Sequence, residues 1–266
     1  MKQRMLMLST GARGGIRSVV EGYIGDGLLS RWNGRWVITH VEGGLVKRLW
    51  TALASGVGVL VALLRHDLCL IHVHAAMRGS FWRKSMFASL ARAFGVKVIL
   101  HLHGSEMVPF YEAQGRFGRR MIAHQLQSAS EVFVLSRSWA EFVKEIAPDS
   151  RIRVVPNYVR MPEVVPERQG GRLNICFLFL GLVGTRKGVY DLLPAFARVV
   201  ERHGSAKLVI GGNGELDRAK QLCEQLGISK NVEFAGWVGG EEKKQLLAVA
   251  DVYILPSHNE GLPMSI

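Results

Sequence analysis

The sequence from Leu173 to Gly188 reads Leu-Asn-Ile-Cys-Phe-Leu-Phe-Leu-Gly-Leu-Val-Gly-Thr-Arg-Lys-Gly. Its first half is a mainly apolar run of strand length. Its second half is a turn that contains three glycines and the cations Arg186 and Lys187. A helical pattern, Val189–His203, follows directly. An apolar strand that passes through a glycine turn into a helix is the first part of a βαβ unit, so this stretch predicts a parallel sheet.

Apolar runs of strand length alternate with longer helical patterns on both sides of this stretch. The predicted strands are Met5–Leu8, Arg35–Val41, Leu68–Val73, Val96–His101, Glu131–Leu135, Ile152–Val155, Leu173–Leu180, Ala206–Ile210, Val232–Ala235 and Asp251–Leu255. The predicted helices include Ser80–Phe94, Trp139–Ile146, Val189–His203, Glu215–Leu226 and Glu241–Ala250. The alternation predicts an α/β fold made of two successive doubly wound, Rossmann-like units.

A segment rich in proline and glycine separates the two series of strands. Pro156, Pro162 and Pro166 are followed by two adjacent glycines, and such a segment cannot pack as a helix or a central strand. We place the inter-domain linker there. The expected domains are an N-terminal one over residues 1–165 and a C-terminal one over residues 172–266 that lacks its last βα elements.

Charge is distributed unevenly along the chain. Residues 1–168 contain 23 Lys and Arg against 12 Asp and Glu, whereas residues 169–266 contain 11 against 10. Basic surface attracts phosphate-bearing partners such as nucleic acid or an anionic membrane, and general solubility is the alternative explanation. The three cysteines are far apart, which argues against a disulfide framework and favours a reducing cytoplasm.

The longest uncharged run is Leu49–Leu64, between Arg48 and Arg65. It is short for a membrane span, which needs about 20 residues. It contains two glycines and leads into an apolar strand, so we expect a buried helix of the first domain. Lys2 and Arg4 interrupt the first apolar stretch, and we therefore expect no secretory signal.

The run Ser257–Pro263, Ser-His-Asn-Glu-Gly-Leu-Pro, follows the last predicted strand. Open α/β sheets bind ligands beyond the carboxyl ends of their strands, so Glu260 is placed where a ligand would lie. The run resembles the start of the Glu-(seven residues)-Glu signature of retaining family-4 glycosyltransferases, also described as glycosyl transferases group 1, which have the GT-B fold. The second Glu of that signature would fall beyond Ile266. The resemblance therefore implies that the chain is C-terminally incomplete.

The resemblance assigns the donor site to the second domain. Arg186 and Lys187 would bind the donor diphosphate, because a helix N-terminus and fixed cations stabilise a phosphate leaving group. Glu260 would hydrogen-bond hydroxyls of the donor sugar; a helix cap is the structural alternative for this carboxylate. The family often has an arginine where this chain has Leu182. The other implied donor-site residues are Gly15 for the diphosphate and Gly214, Val238, Gly261 and Leu262 for the sugar and nucleotide.

The first domain would hold the acceptor. The resemblance gives His103, at a strand end, a catalytic role in positioning donor and acceptor at the cleft between the domains, and it gives Gly14 and Glu106 acceptor contacts. The pairs His72/His74 and His101/His103 each lie on one face of a strand, which would also suit a metal site, but core histidines are the simpler interpretation. No Asp-x-Asp occurs among the six Asp residues, which argues against a metal-dependent transferase.

The implied function is transfer of a sugar from a nucleotide-sugar to a glycan or lipid-linked glycan in cell-surface polysaccharide synthesis, with retention and without a metal or other cofactor. We expect a cytoplasmic protein, peripheral on the inner membrane face, with an anionic membrane surface as a partner of its basic domain. The basic and aromatic stretches at 81–92 and 116–120 would lie at the membrane interface, or on a buried helix with a basic edge. A non-catalytic remnant that binds sugar-nucleotide or membrane is the alternative function. An oxidoreductase or a nucleic-acid binder fits less well, because neither a dinucleotide fingerprint nor a recognition motif is present.

Overall fold

The computed structural model describes residues 4–157, 159, 175–258, 260 and 262. The described residues up to Val159, together with Leu262, form a first unit, and those from Ile175 to Glu260 form a second. Most of the expected linker, including Pro162 and Pro166, lies outside the described residues, and so does Gly261.

The first unit contains a six-stranded parallel sheet. Its strands are β1 (Arg4–Thr10), β2 (Arg35–His40), β3 (Leu68–Ala75), β4 (Lys97–Leu102), β5 (Glu131–Val134) and β6 (Ile152–Val154). Its helices are α1 (Gly15–Gly25), α2 (Leu28–Arg31), α3 (Leu45–Leu64), α4 (Gly79–Ala93), α5 (Met107–Glu112), α6 (Arg116–Gln127) and α7 (Arg137–Ile146). The order β2-β1-β3-β4-β5-β6 places the topological switch point between β1 and β3.

The second unit repeats this architecture on a smaller scale. Its strands are β7 (Cys176–Leu180), β8 (Lys207–Gly211), β9 (Val232–Gly236) and β10 (Val252–Tyr253), all parallel, and its helices are α8 (Val189–Arg202), α9 (Leu216–Gln225) and α10 (Gly240–Val249). A short 3-10 helix, Thr185–Lys187, precedes α8. The order β10-β7-β8-β9 places the switch point between β7 and β10. The predicted α/β fold with two Rossmann-like units is thus confirmed.

The central strands are mainly apolar because helices cover both faces of the sheet. All five inner residues of β1 are buried. Local signals set the helix limits as well: α7 begins after Ser136, whose hydroxyl accepts a hydrogen bond from the backbone N–H of Trp139 at 3.4 Å. Apolar periodicity therefore accounts for the central strands, and a side-chain cap accounts for the start of α7.

Helix α3 differs from the expectation in one respect. The helix is present, but it is not buried, since only Ser55, Val59 and Leu63 are inaccessible to solvent. The expectation was wrong because an apolar sequence does not reveal how many sides of a helix have neighbours. This helix contacts the sheet beside β2, which is an edge strand. Most of the helix surface is therefore not packed against other elements.

Helix α4 shows the opposite behaviour. Phe81 and Phe87 belong to the main core of the first unit, and even Lys84 is fully buried. The stretch that mixes basic and aromatic residues is therefore mainly a core helix, although Met86 is 73% exposed.

Candidate functional site

The switch point of the second sheet brings together the two motifs that the sequence singled out there. The Nζ atom of Lys187 donates a hydrogen bond to Oε1 of Glu260, and the two groups form an ion pair. Their side chains are only 14% and 22% exposed. The backbone N–H of His258 also donates to the carbonyl of Arg186 at 3.0 Å. The loop after β7 and the loop after β10 are thus joined by an ion pair and a backbone hydrogen bond.

Gly188 explains how these loops approach so closely. Its φ of 72° lies in the left-handed region, and a Cβ at this position would overlap the carbonyl oxygen of Pro256. Glycine is therefore required both by the backbone conformation and by the space available. The close approach sets the 3-10 turn with Arg186 and Lys187 directly before α8, whose N-terminal N–H groups favour anions.

The turn after β8 lies against the same loop. Val183 and Gly214 form an isolated parallel bridge, and Glu215 N–H donates to the Val183 carbonyl at 2.9 Å. Glu215 also accepts hydrogen bonds from Tyr190 Oη at 2.7 Å and from Arg218 at 2.9 Å. Sequence reasoning did not single out this carboxylate. Its position after a glycine turn at a strand end was the available signal.

Val238 and Leu262 occupy different surroundings. A Cβ on Gly211 would contact the Val238 side chain, so Val238 packs on the end of β8. Leu262 is assigned to the first unit, where its carbonyl accepts a hydrogen bond from Asn157 Nδ2 at 2.6 Å. Leu182, where the family often has arginine, is 55% exposed.

His103 lies at the carboxyl end of β4 in the first unit. Its Nε2 is 2.9 Å from Nδ1 of His74, and its Nδ1 is 3.3 Å from Oδ1 of Asn157. The arrangement is satisfied if His74 Nδ1–H donates to His103 Nε2, while His103 Nδ1–H donates to Asn157. Both ring nitrogens of His103 are then occupied. In this arrangement neither ring nitrogen of His103 is available to act as a general base.

His103 is one of four imidazoles that lie against one another. The ring centroids of His72 and His74 are 4.2 Å apart and those of His101 and His103 are 4.1 Å apart, so each pair lies on one face of its strand as the alternation predicts. Burial, and then the neighbouring His101, lower the pKa of His72 to about 3. Burial lowers the pKa of His101 to about 4 and brings those of His74 and His103 well below the usual value. The cluster is neutral at pH 7.

Within the described part of the chain, His72, His74 and His101 are the group of side chains that could surround a metal ion. Their ligand atoms lie within 4.8 Å of one another, and all three residues are buried. Neutral imidazoles are the form that binds transition metals. The Nε2 atoms of His72 and His74 have no hydrogen-bond partner among the described residues. The absence of a metal stays a prediction from the sequence.

Lys84 is a second feature of this region that the sequence did not reveal. Its side chain is fully buried, and its Nζ donates to Ser80 Oγ at 3.2 Å. Burial, and then the charge of Arg83, lower the pKa of this lysine to about 7. The charge of this amine contributes to the lowered pKa values of His74 and His103, and so helps to keep both imidazoles neutral.

The remaining predicted residues of the first unit lie on loops at the carboxyl ends of the strands. Gly14 and Gly15 are exposed at the N-terminus of α1, and no atom would obstruct a Cβ at Gly14. Glu106 forms an ion pair with Arg78 at 3.2 Å. Arg78 has φ 58°, an uncommon conformation for a residue with a side chain, and such outliers cluster at functional sites.

The histidine cluster has a consequence for stability that can be measured. In the unfolded chain these imidazoles titrate near pH 6.5, whereas the folded pKa values of His72 and His101 are about 3 and about 4. The unfolded state therefore binds more protons, so stability is highest above pH 6.5 and is lost as the pH falls towards 4. Each of these two groups should contribute a loss of about 1.4 kcal/mol per pH unit in that window.

Urea unfolding at a series of pH values would measure this slope. In the variant His72→Leu, the free energy of unfolding should depend less steeply on pH, by an amount that corresponds to about one bound proton. A slope unchanged by that substitution would show that His72 titrates normally in the folded protein.

Two parallel-sheet units, each with glycine turns at its switch point, define the GT-B class of α/β proteins. A sucrose-phosphate synthase from Thermosynechococcus elongatus has the same fold. The chains superpose with a TM-score of 0.67 at 16% identity, over 98% of this chain and 77% of that one.

The sequence matches the family of the glycosyl transferase 4-like domain over residues 24–158, which is half of the chain, and glycosyl transferases group 1 over residues 172–266. The chain therefore belongs to the glycosyltransferase 4-like family.

Two relatives show how far the similarity extends along the sequence. An uncharacterised glycosyltransferase of Methanocaldococcus jannaschii is 34% identical over 142 residues, which are 48% of this chain and 36% of the relative. A D-inositol 3-phosphate glycosyltransferase of Corynebacterium jeikeium is 26% identical over 254 residues, which are 83% of this chain and 58% of the relative. The aligned regions thus span between about a third and three fifths of these relatives.

Proposed function

We propose that this protein is a retaining glycosyltransferase that moves a sugar from a nucleotide-sugar to a glycan or lipid-linked glycan acceptor in cell-surface polysaccharide synthesis. The observation that carries the proposal is the pairing of Lys187 with Glu260 at the switch point of the second sheet. A cation for the leaving group and a carboxylate for the sugar are thereby held on adjacent loops.

The second unit would bind the donor. Arg186 and Lys187 would neutralise the charge that develops on the departing diphosphate, assisted by the N-terminus of α8. Glu260 would accept hydrogen bonds from donor-sugar hydroxyls. Because its carboxylate already contacts Lys187, the pair is partly desolvated and oriented before the donor arrives. Glu215, beside Gly184, is a further acceptor for donor hydroxyls.

The transfer step would need no protein base. The bond between the anomeric carbon and the diphosphate oxygen breaks, and the acceptor oxygen bonds to the same face of that carbon. The acceptor proton passes to the leaving phosphate oxygen. The occupied ring nitrogens of His103 support this scheme, because they leave its imidazole no free site for the proton. His103 would position the substrate through its backbone carbonyl. The part of the substrate site that belongs to the first unit would be lined by Gly14, Gly15 and Glu106.

Donor binding should raise thermal stability. A panel of UDP-, GDP- and ADP-sugars is the appropriate probe, and we expect one nucleotide class to raise the melting temperature by about 5 °C at about 100 times its Kd. Arg186→Gln should remove most of this shift because it removes a full charge from the diphosphate site. The shift and the transfer rate should both persist in EDTA, since no step of the proposed transfer uses a metal.

Arg198→Gln is the matched control, because Arg198 is exposed on α8 in the same unit. It should retain the full shift. Absence of any shift across the panel would contradict the donor-site assignment and would favour the alternative of a non-catalytic remnant that binds membrane.

A further inference from the structure

Helix α3 presents a continuous apolar surface to solvent. Val46, Leu49, Trp50, Leu53, Val57, Leu60 and Leu64 recur at helical spacing and are between 40% and 82% exposed. The helix carries no charged residue after Arg48. A surface helix normally presents polar residues outward, and a large exposed apolar patch marks an interaction site.

Among the described residues, α3 is the one helix long and apolar enough to cross a membrane. Its opposite face, however, is anchored in the protein. Val59 and Leu63 belong to the same core as Leu6 and Ile71 of the central sheet. If α3 crossed a membrane, this face would have to separate from the sheet, and the core beneath it would become exposed. The helix is therefore held along the surface of its unit, in the orientation of an interfacial helix.

Basic residues flank the apolar surface. Lys47 and Arg48 are exposed in its first turns and Arg65 is exposed at its end. Burial, and then repulsion by Arg48, lower the pKa of Arg83 on the neighbouring helix α4, which indicates that these two guanidinium groups are close. Of the acidic groups nearby, Asp67 is paired with Arg4 at 2.5 Å and Glu42 is exposed.

A groove of about 580 Å³ runs between α3 and the edge strand β2. Apolar residues such as Trp36, Trp50 and Val61 line it, together with the exposed arginines Arg35 and Arg65. Apolar surface beside positive charge is complementary to acyl chains beneath anionic headgroups.

We propose that α3 docks this protein on an anionic lipid bilayer, lying in the plane of the interface with its exposed apolar face among the acyl chains. The docking is independent of the donor site and does not depend on the transferase proposal. It also moves the expected membrane surface from the 81–92 stretch, which is mainly a core helix, to α3, whereas Phe117 in the 116–120 stretch is 78% exposed.

Co-sedimentation with vesicles tests the proposal. The full chain should bind vesicles of equal parts phosphatidylcholine and phosphatidylglycerol, and bind pure phosphatidylcholine at least about tenfold more weakly. The triple variant Leu49→Gln/Leu53→Gln/Leu60→Gln should lose about tenfold or more of the binding. These positions are exposed, so circular dichroism and melting temperature should be unchanged. Leu247→Gln, at an exposed apolar position of α10, is the matched control and should bind normally.

The fluorescence of Trp50 provides a second measurement. Anionic vesicles should shift tryptophan emission to shorter wavelength, and Trp50→Phe should remove most of that shift while leaving sedimentation largely intact. Failure of the wild-type chain to bind anionic vesicles would overturn the proposal. Sedimentation as a dimer that the triple variant converts to a monomer, without vesicle binding, would overturn it in favour of a contact between copies of the chain.

Discussion

Replacing Lys187 with alanine is expected to reduce kcat/KM for sugar transfer by roughly 10²–10³-fold, the scale observed when a group that stabilises developing negative charge is removed. Lys187 is the partly buried cation of the proposed diphosphate-binding loop, and its contact with Glu260 fixes its Nζ. Glu260→Gln keeps the size of the side chain but removes the charge, and it should also abolish most transfer. Transfer kinetics with a saturating acceptor would measure both effects.

Lys244→Ala is the control for this experiment, since Lys244 is exposed on α10 in the same unit. It should leave turnover at the wild-type level. Wild-type turnover in both Lys187→Ala and Glu260→Gln would refute the site assignment. Because the two side chains share one contact, the double variant should lose less than the product of the two single losses.

Replacing Gly212 with alanine is expected to destabilise the second unit by about 4 kcal/mol or more, which is exceptional for a single methyl group. Gly212 has φ 153°, and a Cβ there would overlap the carbonyl oxygen of Gly181. The overlapping atoms are backbone, so no side-chain rotation can relieve the clash. The turns after β7 and β8 would have to separate, and the proposed donor site between them would open.

Gly227→Ala is the matched control, because Gly227 also has positive φ, at 68°, but has open space around it. It should cost only about 1 kcal/mol, the price of a left-handed residue. Hydrogen exchange followed on peptides from β7 and β8 would report the loss. Equal protection in the two variants would show that the turns can accept a side chain.

Local patterns predicted most of the fold. The ten strands were expected close to where the structure has them, because apolar runs bounded by glycine and proline have few other ways to fold. The pairs His72/His74 and His101/His103 were expected to share faces because the strand repeat is two residues. The sequence indicates that a turn such as the one at Gly188 needs glycine. It does not show that the carbonyl of Pro256 occupies the space that a side chain would need.

The contacts that define the candidate site could not be predicted in this way. Lys187 and Glu260 are 73 positions apart, and only the order β10-β7 makes their loops neighbours. The four-histidine stack depends on β3 and β4 being adjacent, and the occupied nitrogens of His103 depend on Asn157. Each of these features requires knowledge of strand order, which no local pattern contains.

The sequence by itself determined the alternation of strands and helices, the basic character of the first half and the glycine turns, because these depend on neighbours along the chain. Tertiary structure alone decided which apolar surfaces are covered. The sequence of α3 has no charged residue after Arg48, and the burial of the helix depends on how many elements pack around it. Since the sheet supplies cover along one face only, the opposite face remains in contact with solvent.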